Sequence, residues 1–79
     1  MKEIDIQRVL HILNNVIEKY CFTKEQFDDD LTKYGMNSIE FIRVIVALED
    51  EFKIEFPDDY LIFERLNSIN KIIQALKTF

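Results

Sequence analysis

Gly35-Met36-Asn37-Ser38-Ile39-Glu40 joins a loop to a strongly apolar helix, and the reading of that junction decides the fold. Gly35 relieves the backbone for a tight turn, and the Asn37 side chain is suited to accept a hydrogen bond from a first-turn amide. Glu40 falls three residues after Asn37, which is capping-box spacing with Asn in the Ser/Thr position. If Asn37 is the cap, Ser38 is the first helical residue and its hydroxyl is left to solvent. Ser38 acting as its own cap is the simpler use of a serine before a helix, so local sequence alone gives the hydroxyl two assignments.

The helix that follows is predicted from Ser38 to about Lys53. At about 100° per residue, Phe41, Val44, Ile45, Leu48 and Phe52 share one arc and are expected to be buried. Ile39, Ile42 and Val46 fall in a different arc, on the other side of Ser38. Glu49 and Lys53 lie among them, with Arg43 and Asp50 at the edge. A helix with one buried face does not need these three to be apolar. Either the core wraps further around the helix, or the three form an exposed apolar patch rimmed by charge, the composition of a transient docking surface. We adopt the patch.

Upstream, Ile6, Val9, Leu10, Leu13, Val16, Ile17 and Tyr20 recur at helical spacing and predict a first amphipathic helix over about residues 3 to 20. Residues 21–37 hold no sustained period. They read as a long loop that crosses the bundle, pinned by Phe27, Leu31 and Tyr34, and delivers the chain to Ser38. Downstream, Pro57-Asp58-Asp59 suits the start of a short third helix through about Glu64. Ser68 is the expected cap of a last helix whose Ile69, Ile72, Ile73 and Leu76 form one face. The expected fold is therefore all-α, a small four-helix bundle with a long loop between helices 1 and 2 and a short third helix. Residues 1–79 are expected to make a single domain.

Composition limits what such a domain does. Seventy-nine residues, nearly half of them apolar, are barely enough for one core and leave little room for a cavity that encloses a large substrate. Fifteen acidic against ten basic residues give a net charge of −5, which disfavours nucleic acid and anionic membranes and favours basic protein surfaces. No signal-peptide or membrane-spanning segment is read in the sequence, so a cytoplasmic location is expected. Cys21 is the single cysteine and is expected to be half-buried at the end of the first helix, with no function assigned to it.

Catalytic and metal chemistries fit poorly. A serine hydrolase elbow needs a second Gly where Glu40 stands, and the single histidine, His11, lies on the first helix as a surface or boundary residue. A calcium loop starting at Asp28 would place Lys33 at the glycine position and Ile39 at the bidentate glutamate position. One starting at Asp30 would place Tyr34 at position five and Phe41 at the last. The Asp28-Asp29-Asp30 run is instead expected to solvate the loop. No metal site is predicted.

The stretches Phe27-Asp28-Asp29-Asp30-Leu31, Tyr34-Gly35-Met36-Asn37-Ser38-Ile39-Glu40, Ala47-Leu48-Glu49-Asp50-Glu51-Phe52 and Phe56-Pro57-Asp58 together resemble the acyl carrier protein family, over nearly the whole chain. In that family a Gly-x-Asp-Ser-Leu motif opens the second helix, and its serine carries phosphopantetheine derived from coenzyme A. The resemblance implies Ser38 as the attachment residue, Gly35 and Asn37 as the attachment turn, and no catalytic residues. It also implies a docking face made of Ile39, Glu40, Ile42, Arg43, Val46, Glu49 and Asp50, with Glu51 at a further acidic position. The implied partners are a phosphopantetheinyl transferase and the enzymes that load and process acyl or aminoacyl thioesters, and the implied state is a monomer.

Three residues depart from the family pattern. Asn37 replaces an Asp, Ile39 a Leu, and Arg43 stands where fatty-acid carriers commonly have Glu. The Arg43 difference suggests a dedicated partner set in a specialised pathway, polyketide, nonribosomal peptide or related, more than general fatty-acid synthesis. The alternative is a helical adaptor that never carries the arm.

Overall fold

The computed structural model describes residues 4–78, and the expected start of the first helix at residue 3 lies outside them. Three α-helices form: α1 (Ile6–Val16), α2 (Ser38–Phe52) and α3 (Ile69–Thr78). Short 3-10 turns at Lys24–Gln26, Leu31–Tyr34, Asp58–Tyr60 and Phe63–Arg65 connect them, and no strand occurs among the described residues.

α1 starts where Asp5 accepts the Gln7 amide at 2.9 Å, an N-cap the periodicity did not reveal. It ends four residues earlier than the predicted Tyr20, because Asn14 competes for the chain. The Asn14 side-chain amide donates to the Phe22 carbonyl at 3.1 Å, and the Phe22 amide donates to Asn14 Oδ1 at 2.5 Å. The pair folds residues 17–22 back across the helix end. Tyr20 therefore leaves the helical stripe and packs on Phe22 and Tyr34, at ring-centroid distances of 4.9 and 4.4 Å. Cys21, expected half-buried on a helix, is exposed in this irregular segment.

The crossing loop is more ordered than its sequence suggests. Thr23 and Gln26 form a capping box around one 3-10 turn, and Asp30 caps the next by accepting the Thr32 amide at 2.9 Å. Leu31 donates its amide to Asn67 at 2.8 Å, while Asn70 donates its amide to Phe27 at 2.9 Å and its side chain to Asp28 at 2.9 Å. These bonds fasten the loop to the start of α3, and fully buried Leu31 fastens it to the core. The three acids are thus not merely a solvated run. Asp28 holds Asn70, Asp29 accepts the Tyr34 hydroxyl at 2.5 Å, and Asp30 caps a turn. Hydrogen bonds from the Thr32 hydroxyl and amide hold the Asp30 carboxyl below its usual range, while the bond to Asp29 pushes the Tyr34 phenol up to about 12.

α2 ends at Lys53, whose left-handed backbone (φ 55°) donates to the Glu49 carbonyl. The third helix expected over residues 57–64 is instead two separate 3-10 turns, broken where Ile62 is extended. The fold is accordingly a three-helix bundle braced by 3-10 turns. The physical reason is that so short a segment meets the nucleation cost of a helix only by burying a stripe, whereas Leu61 and Ile62 face solvent.

Ser68 caps α3 as expected, accepting the Lys71 amide at 3.1 Å, and Ile69, Ile72, Ile73 and Leu76 are buried. The core joins Val9, Leu13 and Ile17 to Val44 and Leu48 and to Ile69, Ile72 and Leu76, all at most 1 % exposed. Each such side chain contributes about 1.5–3 kcal/mol of burial free energy. Phe52, expected with the buried arc, is only half-buried: it lies under the Arg8 guanidinium, 4.5 Å from ring centroid to carbon. Arg8 also pairs with the Glu51 carboxylate at 2.6 Å, which ties α1 to the last turn of α2.

Candidate functional site

Two backbone devices build the junction at Ser38. Gly35 adopts φ +94°, a left-handed conformation that stops the Leu31–Tyr34 turn, and its amide donates to Leu31 and Thr32. A Cβ there would also meet Lys19 Nζ at 3.0 Å, so any side chain is opposed twice. The capping box then forms in full. Asn37 Oδ1 accepts the Glu40 amide at 2.9 Å, and Glu40 Oε1 accepts the Asn37 amide at 3.2 Å.

Asn37 is therefore the cap, and Ser38 is not. The Ser38 side chain is exposed and its hydroxyl makes no hydrogen bond among the described residues. Asn37→Ala is expected to cost about 1 kcal/mol (range about 0.5–2), read as a lower denaturant midpoint at unchanged slope, since the Glu40 amide loses its acceptor.

With the amides of Asn37 and Glu40 satisfied, those of Ser38 and Ile39 remain the open donors of the helix start among the described residues. They lie beside the hydroxyl, at the positive end of α2. A phosphate esterified to Ser38 would meet both, an effect of about 0.3–1 kcal/mol at an exposed site.

Beyond Ser38, the predicted apolar patch stands in solvent: Ile39, Ile42 and Val46 are 65, 61 and 58 % exposed. Ile42 and Val46, with Phe41, Ile45, Glu49 and Leu61, line an open cleft of about 360 Å³. Arg43 and Asp50 are exposed at the rim. The two other acids predicted for this face have internal partners as well. Glu40 is bound in the capping box and lies 3.5 Å from Lys19, and Glu49 accepts the Phe56 amide at 2.9 Å. Two of the face's carboxylates are thus held in intramolecular contacts, and Lys19 lies against one of them.

One residue of the site was missed. Lys19 donates to the Gly35 carbonyl at 2.8 Å from a turn that periodicity assigned to the first helix. With donor and acceptor sixteen positions apart, no spacing rule links them.

A family profile described as "Phosphopantetheine attachment site" matches residues 7–76, nearly the whole chain. The chain belongs to this family. It is a carrier and not an enzyme, and its cofactor is a covalently attached phosphopantetheine. Similar proteins include the acyl carrier protein of Buchnera aphidicola subsp. Acyrthosiphon pisum, 30 % identical over 98 % of this carrier and 92 % of the relative. The acyl carrier protein of Clostridium acetobutylicum is 35 % identical over 68 % of this carrier and 64 % of the relative. The mitochondrial acyl carrier protein of Saccharomyces cerevisiae is 30 % identical over 89 % of this carrier and 58 % of its own length. No solved structure matches the carrier significantly.

The site suits the cofactor's chemistry. An exposed, uncommitted serine hydroxyl beside two open amides offers an oxygen to phosphorylate and donors for the charge that results. No helix among the described residues is long and apolar enough to cross a membrane.

Proposed function

We propose that Ser38 carries the phosphopantetheine and that the protein tethers acyl or aminoacyl thioesters for partner enzymes reached through the Ile39–Ile42–Val46 face. The observation that carries this reading is the full capping box at Asn37 and Glu40, which frees the Ser38 hydroxyl while holding it at a helix start. On transfer, Ser38 Oγ bonds to the phosphorus bearing the pantetheine chain of coenzyme A. The diphosphate bond breaks, adenosine bisphosphate leaves, and the hydroxyl proton passes to the transferase's base. Asn37 holds the turn during this step, and the open Ser38 and Ile39 amides face the new charge. When attached, the group supplies a thiol that holds cargo as a thioester. The test is intact mass after incubation with coenzyme A and a broad-specificity phosphopantetheinyl transferase, where a gain of one phosphopantetheine supports Ser38 as its acceptor.

A specialised pathway is the finer part of the proposal. Arg43 and Lys53 are exposed on the docking face, and the Glu40 and Glu49 carboxylates have intramolecular partners, so a partner built for a uniformly acidic helix meets cations among the acids. A monomeric carrier acting in the cytoplasm is part of the same reading. The adaptor alternative is favoured only by the absence of an Asp at position 37.

Ile42→Glu is expected to leave thermal stability near wild type, because the side chain is already 61 % exposed. It should weaken the interaction with an apolar partner groove by about tenfold, the effect of truncating a central contact worth about 1.4 kcal/mol. Titration of a cognate partner enzyme with both forms measures this. An unfolded variant would show that the patch belongs to the core.

A further inference from the structure

We infer that Lys19 is a positioning residue for the modification of Ser38, an inference that rests on the reading of Ser38 as the attachment point. Its ammonium touches both flanks of the turn, donating to the Gly35 carbonyl at 2.8 Å before Ser38 and lying 3.5 Å from Glu40 Oε1 after it. That same Glu40 oxygen accepts the Asn37 amide, so Lys19, Glu40 and Asn37 form one chain of contacts around the serine. The chain starts outside the turn, in residues that Asn14 folds back from α1, and so anchors the attachment turn to the first helix.

The anchor acts through geometry. The Gly35 bond fixes where the turn begins. On the other side of Ser38, Lys19 holds the Glu40 carboxylate whose Oε1 closes the capping box on the Asn37 amide. Both contacts help present the Ser38 hydroxyl to the transferase, and neither makes Lys19 catalytic.

Lys19 itself is 58 % exposed, so its removal should not unfold the domain. The experiment compares wild type, Lys19→Met and Lys19→Arg, with Lys24→Met as a charge control. It reads transferase kinetics by intact mass and, in the apo-protein, the amide NMR shifts of residues 35–40.

The expected result for Lys19→Met is about a fivefold loss in kcat/KM, the scale of one charge-assisted hydrogen bond at an exposed site, carried mainly by KM for the carrier. The amide shifts of the turn should move with it, and Lys19→Arg should restore both because a guanidinium reaches the same two oxygens. Lys24→Met should change neither. Unchanged kinetics in Lys19→Met would overturn the inference even if the shifts move, as would an equal loss in Lys24→Met. A wild type that gains no phosphopantetheine at all would instead overturn the assignment of Ser38, and this inference with it.

Discussion

Ser38→Ala is expected to abolish the mass gain from coenzyme A completely while leaving the denaturation midpoint near that of wild type. The two halves of that result come from one arrangement. Asn37 Oδ1 binds the Glu40 amide and the Glu40 carboxylate binds the Asn37 amide, so the helix start needs nothing from Ser38. Its hydroxyl is exposed and unbonded among the described residues, and removal of such an oxygen leaves no buried group unsatisfied. Asn37→Ala should behave in the opposite way, losing stability while retaining the acceptor hydroxyl. A fall in Ser38→Ala stability well above about 1 kcal/mol would identify Ser38 as a cap after all. Full modification of Ser38→Ala would place the acceptor elsewhere in the chain.

Leu31→Ala is expected to destabilise the domain by about 2–5 kcal/mol, a large part of the stability of so small a fold. Leu31 is fully buried although it sits in the loop between α1 and α2, and its amide donates to Asn67 at 2.8 Å. Its carbonyl accepts the amides of Gly35 and Met36, so the side chain that anchors the loop also fixes the approach to Ser38. Urea denaturation checks this, with Leu61→Ala as a control. Leu61 is 44 % exposed, and its truncation should stay within about 0.5 kcal/mol. A loss below about 1 kcal/mol at Leu31 would mean that the loop rests on the bundle without being part of its core.

The capped turn before Ser38 was the most legible part of the chain, because its determinants are local. Gly35, Asn37 and Glu40 lie within six consecutive residues, and cap chemistry depends on backbone donors that every helix start exposes. The exposed face of α2 was legible for a related reason: a helix fixes the angles between its own side chains, so Ile39, Ile42 and Val46 had to share an arc wherever the core lay. Phe52 shows the limit of that argument. It lies in the buried arc but at the last turn, where it packs on the edge of the core and Arg8 covers the side the core does not.

Helix ends and connectors were less legible. Periodicity carried the first helix to Tyr20, but Asn14 captures the backbone of Phe22, a contact eight residues away that has no repeating pattern. Phe22, Met36, Phe56 and Leu66 are buried from irregular segments, where a lone apolar residue gives no phase to read. The same limit explains the third helix. Pro57 and two aspartates gave a correct start signal, yet the segment had no buried stripe to sustain more than 3-10 turns.

By itself, then, the amino-acid sequence determined the helical class, a capped helix start at residues 37–38 and the shared arc of Ile39, Ile42 and Val46, because each depends on residues within about one helical repeat of one another. The structure decided that Asn37 is the cap and that the arc faces solvent. Tertiary structure alone decided which charges remain free on that face and what braces the turn. Glu40 and Glu49 are engaged, Lys19 reaches Gly35, and Leu31 locks the crossing loop onto α3, through contacts between distant segments. Such contacts exist only after the core has brought those segments together, since hydrophobic burial sets their distances and hydrogen bonds then select among the polar groups within reach.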